Sequence, residues 1–480
     1  MNDDLPSVLR QTDKVPPAER RAMVEAFWNA PGPEPLRRLN CEVRPEFWKP
    51  EAKRVAYLLP PVLEFGAGTS LPPPSAPSQA AIREHYQARG RTLRHAGVLA
   101  LPLTVQREIY CAYPRQTHQA AAVALATDVA QALSDLSGLQ FSFVPAEYAT
   151  ITDLVSQLRR AAAGGTVLLV LDDRPESYYN AAFELSDWRI KRVTARTLAQ
   201  QYRPPVAKSP FPEHVRPHRD RQDRSWDQLV WMTALDLLQQ MDGVPWRISD
   251  MGPYDAMLSL DVGHDRRYMA ASILLARDGG IIPSFQLASK VHVKPDTKQE
   301  AINSVLLADH MTELVQEILG ERGAPLRSLL VLRDGRTVGD EIRGIHAARE
   351  KLQASSHLVA GAPVDVMDVH KGSLKPIRLW EVDHNAQVTN PLEGTVVLLN
   401  EATVVLVTTG AATVRQGTAR PLLLCRRDGA AEMLGMAAAV FGAAQLNWSS
   451  PGVAQRLPLP LKRTDEELSI RASQEIRRVS

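Results

Sequence analysis

Residues 256–265 read AMLSLDVGHD and residues 328–336 read SLLVLRDGR. Each is an apolar run that ends near an acid, Asp261 in the first and Asp334 in the second. Downstream of the first run, YMAASILLARDGG (268–280) and PSFQLAS (283–289) read as two more strands with turn chemistry between them. Together the three predict an antiparallel meander. The apolar residues of DTKQEAINSVLLADHMTELVQEILGE (296–321) recur at helical spacing, so a long amphipathic helix is expected there. The strand SLLVLRDGR and a helix over GDEIRGIHAAREKL (339–352) follow. Further on, VDVMDV, GTVVLLN, TVVLVTT and PLLLCRR read as strands and EMLGMAAAVFGAAQL (432–446) as a buried helix.

Three strands, a helix, a strand and another helix is the order of a ribonuclease-H-like core, which predicts such a domain over residues 251–480. Upstream, GVLALPLTV (97–105) reads as a buried strand, HQAAAVALATDVAQALSDL (118–136) as a helix, and FSFVPAEYA (141–149) follows it. The helix DLVSQLRRAAA (153–163) and the strand TVLLVLDD (166–173) continue the alternation. Strand alternating with helix predicts a parallel sheet covered by helices, a Rossmann-like α/β domain over 96–250. Its last helix, DQLVWMTALDLLQQM, is expected to stop at Asp242-Gly243. Residues 1–95, with PPAER, PGPEP and LPPPSAPS, read as a Pro-rich, linker-like region.

Composition narrows the function classes. With 44% hydrophobic and 23% charged residues, the 480-residue chain is neither disordered nor fibrous. Cys41, Cys111 and Cys425 are far apart and form no CxxC pair, which excludes a zinc ribbon or a disulfide framework and fits a reducing cytoplasm. The opening MNDDLPSVLRQTDK carries acids where a secretory signal carries bases, and the apolar stretch Met433–Leu446 is shorter than the about 20 residues a bilayer span needs. No membrane partner is therefore expected. The 56 Lys and Arg residues nearly balance 54 acids, so any polyanion site must be local. Neither a GxSxG nor a GxxxxGK[ST] pattern occurs, which leaves Ser-nucleophile and P-loop chemistry without support.

An acid at the end of a buried strand costs desolvation unless a cation or hydrogen bonds compensate. Mg²⁺ is one such cation, because it prefers carboxylate oxygens and water. Two such ions about 4 Å apart can stabilise the attacking and the leaving oxygen of a phosphodiester displacement. Taken singly, the acids have plainer readings. Asp before Gly is ordinary turn chemistry, and Glu300 and Asp465 both suit a helix start.

In this order the residues resemble the short prokaryotic Argonaute (MID-PIWI) family. Asp261-Val262-Gly263-His264 is similar to that family's first catalytic Asp with its Val-x-His continuation, and Arg333-Asp334-Gly335 to its Arg-Asp-Gly signature. Lys298-Gln299-Glu300-Ala301-Ile302 resembles the stretch whose Glu opens a long helix, and Asp465 follows LPLP where the last member belongs. The resemblance implies a catalytic tetrad of Asp261, Glu300, Asp334 and Asp465 in a PIWI domain (251–480), with Asp261, Asp334 and Asp465 holding Mg²⁺ or Mn²⁺. It implies a MID domain (96–250) that anchors the 5′ end of a guide strand, and VLEFGAGTS (62–70) is similar to the segment preceding MID. Tyr179 sits where the pocket Tyr belongs, with Tyr178 an adjacent alternative. Two expected lysines are replaced by Phe183 and Gln240, so either Lys191, Arg192 or Arg196 supplies the charge or the guide end is held without its phosphate.

The implied activity is guide-directed, metal-dependent endonucleolytic cleavage of complementary RNA or DNA, in defence against invading DNA. The alternative is a cleavage-deficient, guide-dependent sensing subunit that activates a separate effector protein such as an NAD-consuming enzyme. An unrelated ribonuclease-H-like nuclease would keep the metal chemistry but leave the upstream α/β domain unexplained.

Overall fold

The computed structural model describes residues 14–29, 47–115, 119–162, 164–171, 185, 188–202, 221–263, 268–275, 281–282, 288–289, 302–320, 324–372, 377–383 and 385–468. Four parallel strands, β1 (Glu108–Pro114), β2 (Ser142–Tyr148), β3 (Gly165–Leu171) and β4 (Trp188–Thr194), form one sheet in the order β2-β1-β3-β4. The middle strand β3 is buried on both faces. Leu168 and Val170 belong to one core, and Val167, Leu169 and Leu171 to another with Leu154 and Leu158 of the helix Ile151–Ala161. Such double burial is why GTVLLVL reads as a continuous apolar run rather than an alternating one.

The segment GVLALPLTV, expected as a strand, is not one. It makes a single isolated bridge, Ala100 to Val244, and Leu99, Leu101 and Val105 pack as partly buried side chains against the core. Pro102 interrupts it and has no N–H to donate to a ladder. The run is apolar because it covers other elements; the first strand of the sheet is β1, further along.

Among the described residues the second large sheet has ten strands. Its centre is β5 (Ala256–Val262), β6 (Tyr268–Leu275), β7 (Leu329–Asp334) and β8 (Val364–His370), continued by β9 (Thr395–Asn400), β10 (Thr403–Leu406) and β11 (Leu422–Asp428). The order runs Val55–Tyr57, β9, β10, β11, β8, β7, β5, β6, Ile281–Ile282, with Ala288–Ser289 also paired to β6. The β5, β6 and Ile281–Ile282 strands are antiparallel neighbours, while β7 runs parallel to both β5 and β8. Alternation assigns the two faces. Leu258, Leu260, Leu329 and Val331 face a core built with the helices Ser304–Gly320 and Glu341–Ala354. Met257, Leu330, Leu332 and Val369 face the opposite core, which contains Met436, Val440 and Phe441 of the buried helix Met433–Ala444.

The helix expected over 296–321 is described from Ser304 to Gly320. Its start is fixed by the Asn303 side chain, which accepts from the backbone N–H groups of Val305 (2.9 Å) and Leu306 (3.3 Å).

Residues before 96 add one strand to the ten-stranded sheet and two of the three strands of a separate small sheet. Val55–Tyr57 adds an edge strand to β9, and Leu63–Glu64 pairs with Ser70–Leu71 and Arg247–Ile248. The helix Gln79–Ala96, capped by the Ser78 hydroxyl, carries Arg89, which is fully buried. Its guanidinium donates to the carbonyls of Pro451 (2.6 Å), Gln445 (2.8 Å) and Val453 (2.7 Å). The same group lies over the rings of Tyr86 and Trp246. Arg89 therefore tethers the loop that leads from Met433–Ala444 into the last described helix, 459–468.

Candidate functional site

β5 and β7 are neighbours in register, with Arg333 opposite Leu260. One step further sets Asp334 beside Asp261, on the sheet face that packs against the C-terminal helices. Asp465 comes from a third element, the helix 459–468. One carboxylate oxygen from each of the three acids lies within 4.8 Å of the others. Asp465 lies inside its helix, so the reading of Thr464-Asp465-Glu466 as a helix start is corrected: the helix already begins at 459. Glu300 falls outside the described residues, and the helix it was expected to open begins instead at Ser304, after the non-helical Ile302 and Asn303.

Lys371, one residue beyond β8, completes the cluster. Its ammonium pairs with Asp334 and with Asp465, the latter at 2.8 Å. Burial pulls the Lys371 pKa down, but Asp334, Asp465 and Asp261 outweigh it and hold the pKa above its ordinary value. No sequence motif pointed to this lysine.

Asp261 is buried, and its Oδ1 accepts from the backbone N–H of Val262 at 2.8 Å. Burial first, and the Asp334 charge second, push its pKa up to about 8, against the opposing pull of Lys371 and Arg333. The folded value lies above the ordinary 3.8, so the native state holds a proton that the unfolded chain releases. In metal-free protein this carboxyl's stabilisation is full below the ordinary value and is lost as pH rises through about 8. Metal-free wild type should therefore melt at a lower temperature at alkaline than at mildly acidic pH, and Asp261→Asn should flatten that slope. Equal slopes in the two proteins would contradict it.

The turn after Asp334 is fixed from two sides. Gly335 adopts φ +82 and donates to the carbonyl of Val369. Buried Asp368 accepts from the Thr337 N–H at 2.9 Å and pairs with Arg427. On the opposite sheet face, buried Arg333 pairs with buried Glu341 at 3.3 Å. The Glu341 carboxylate also accepts from Ile302 N–H (2.8 Å) and Val338 N–H (3.2 Å). Burial raises the Glu341 pKa, although Arg333 and these hydrogen bonds act against it.

Three carboxylate donors around a common point fit a hard divalent cation, and the Lys371 ammonium among them is a stand-in for one. Oxygen donors of this kind suit Mg²⁺ and Mn²⁺ alike.

A second polar site lies where β4 meets the helix Arg221–Gln240 and the helix 459–468. It is a cleft of about 410 Å³ lined by Lys191, Arg192, Lys462 and Arg463 together with Asp236, Glu466 and Gln240. Lys191 pairs with Asp236. Gln240 Nε2 donates to the Ile190 carbonyl at 2.9 Å, and Arg463 donates to Gln239 Oε1 at 2.9 Å. Of the residues expected to bind a guide end, Lys191, Arg192 and Gln240 thus share one cleft. Arg196 is exposed on the helix Ala195–Gln201 and does not line it, and Tyr179 lies outside the described residues. Lys462 and Arg463 were missed because LKRTDEEL reads as a mixed-charge helix surface.

Among the described residues, no helix is long and apolar enough to cross a membrane. No family model and no curated protein matches the sequence. In three dimensions the chain is similar to the Argonaute of Clostridium butyricum bound to a guide DNA (5′ deoxycytidine) and a 19-mer target DNA, with a TM-score of 0.64 at 17% identity. The similarity covers 89% of this chain and 54% of that one, so the chain spans about half the length of its structural neighbour. The fold is Argonaute-like.

Proposed function

We propose that the chain binds a guide strand and its complementary target and cleaves the target in a reaction dependent on Mg²⁺ or Mn²⁺. The observation that carries this reading is the convergence of Asp261, Asp334 and Asp465, distant in sequence, within 4.8 Å on one sheet face. The strand order Ile281–Ile282, β6, β5, β7, β8, with the first three antiparallel and the last two parallel to β5, supports a ribonuclease-H-like PIWI domain over 251–480. The parallel sheet β2-β1-β3-β4 supports a Rossmann-like MID domain over 96–250. The structural neighbour's guide and target DNA support nucleic-acid partners for this chain.

In this reading Asp261, Asp334 and Asp465 are the metal-holding carboxylates, and Glu300 is the fourth member of the tetrad. When bound, divalent ions supply Lewis-acid activation of water and neutralise charge at the phosphodiester. Asp261 is held by its own strand and by burial, so its carboxylate is pre-positioned. Asp334 is aimed by the turn that Asp368 and Gly335 fix. Lys191, Arg192 and Gln240, with Lys462 and Arg463, hold the guide end in the cleft, where four cations face two carboxylates. Tyr179 and Arg196 are further guide contacts in the same proposal. Sequence is read by base pairing between the strands, so the protein needs only backbone contacts.

The second reading, a guide-dependent sensor for a separate effector, is favoured by one observation: Lys371 already occupies the carboxylates of Asp334 and Asp465. One experiment separates the two. The purified chain is loaded with a short DNA or RNA guide and given labelled complementary target with MnCl₂. A single cut within the paired region is expected. Tight guide-dependent binding without any cut would support the sensor, and no guide-dependent binding would overturn both.

A further inference from the structure

Lys371 is the last residue before Gly372, which adopts φ +98 at the end of β8. Its ammonium is bound to Asp334 Oδ2 and, at 2.8 Å, to Asp465 Oδ1, and it also interacts with Asp261. These are the same three carboxylates that offer ligand atoms to a metal. An ammonium at contact distance from these carboxylates opposes a divalent ion among them, because the two cations repel each other across a few ångströms and compete for the same acids. We propose that Lys371 is a built-in competitor of the divalent ion: it holds the three acids together in the metal-free protein and must leave Asp334 and Asp465 for the ion to load.

This inference rests on the metal-dependent reading above. It assigns to Lys371 a positioning and gating role. Without a cation the carboxylates of Asp334 and Asp465 repel each other, so an internal one keeps the site assembled. The flexible four-carbon stem lets the ammonium swing away without unfolding β8. The acids can then stay pre-organised while loading by stray divalent ions is held back.

The test is Mn²⁺ affinity, read by electron paramagnetic resonance on protein free of nucleic acid, for wild type, Lys371→Met and Lys371→Arg. Methionine keeps the stem and removes the charge. Removing a cation in contact with the ligands should tighten Mn²⁺ binding on the order of tenfold or more. Arginine, which keeps the charge, should leave affinity at or below that of wild type. A second readout guards against a folding defect. Metal-free Lys371→Met should melt below wild type, and Mn²⁺ should raise its melting temperature by more than it raises that of wild type.

Equal Mn²⁺ affinity in wild type and Lys371→Met overturns the inference and leaves the metal-dependent reading intact. Tightening that survives in the Lys371→Met/Asp334→Asn double variant places the ion elsewhere and also overturns it. If neither wild type nor Lys371→Met binds Mn²⁺, the metal-dependent reading falls and takes the inference with it.

Discussion

Target cleavage by the Asp334→Ala protein is expected to fall by at least about 10²- to 10³-fold under single-turnover conditions, the usual cost of losing one pre-organised electrostatic group at a reacting centre. Asp334 is the partner shared by the cluster: it neighbours Asp261 across the sheet, and Lys371 binds it directly. Its side chain is only partly buried, and its turn is fixed by backbone and Asp368 contacts that the substitution leaves in place. The fold should therefore survive, and guide and target affinity should stay near wild type. Asp261→Ala should lose activity to the same extent. A variant that cuts within a factor of a few of the wild-type rate would remove Asp334 from the chemistry.

Arg89→Met is expected to destabilise the protein by about 3–5 kcal/mol, because it withdraws a charged donor from three carbonyl acceptors. The side chain is fully buried, and burial lowers its pKa to about 10. It is kept charged by three carbonyl acceptors rather than by a carboxylate. Methionine fills much of the volume but leaves the carbonyls of Gln445, Pro451 and Val453 without these donors, and hydrogen bonds from a charged donor contribute about 1.5–3 kcal/mol each. Relief from burying the cation offsets part of that loss. The urea midpoint should drop without a change in slope, and proteolysis should open first in the loop between Ala444 and the helix at 459. An unchanged midpoint would mean that the tether carries no net energy.

The fold was legible where burial leaves a mark on composition. AMLSLDV, SLLVLRD and GTVLLVL are double-sided strands and read so from their apolar runs, and the two strand-end acids stood out because nothing in a buried sheet calls for them. The local pattern singled out Asp465, which the fold brings beside Asp261 and Asp334, although from inside a helix rather than at its start. GVLALPLTV misled because apolar cover and apolar strand look alike over nine residues, whereas EIYCAYP of β1, with Glu, Tyr and Pro in it, does not look buried. Lys371 and Arg89 were invisible for a different reason. No motif marks Lys371, and Arg89 falls in the stretch read as linker-like, because a cation's burial depends on which acceptors arrive from elsewhere in the chain. The same holds for Lys462 and Arg463, whose neighbours across the cleft are more than 200 positions away in sequence.

The helix 459–468 carries Lys462, Arg463 and Glu466 into the cleft and Asp465 into the carboxylate cluster. Ten residues of α-helix span about 15 Å and behave as a rigid rod. Lys462 and Arg463 on one side and Glu466 on the other flank Asp465 within about one turn, so the two sites share that turn. On the proposed function, a guide end seated in the cleft and an ion at the acids would bear on the same short stretch of backbone.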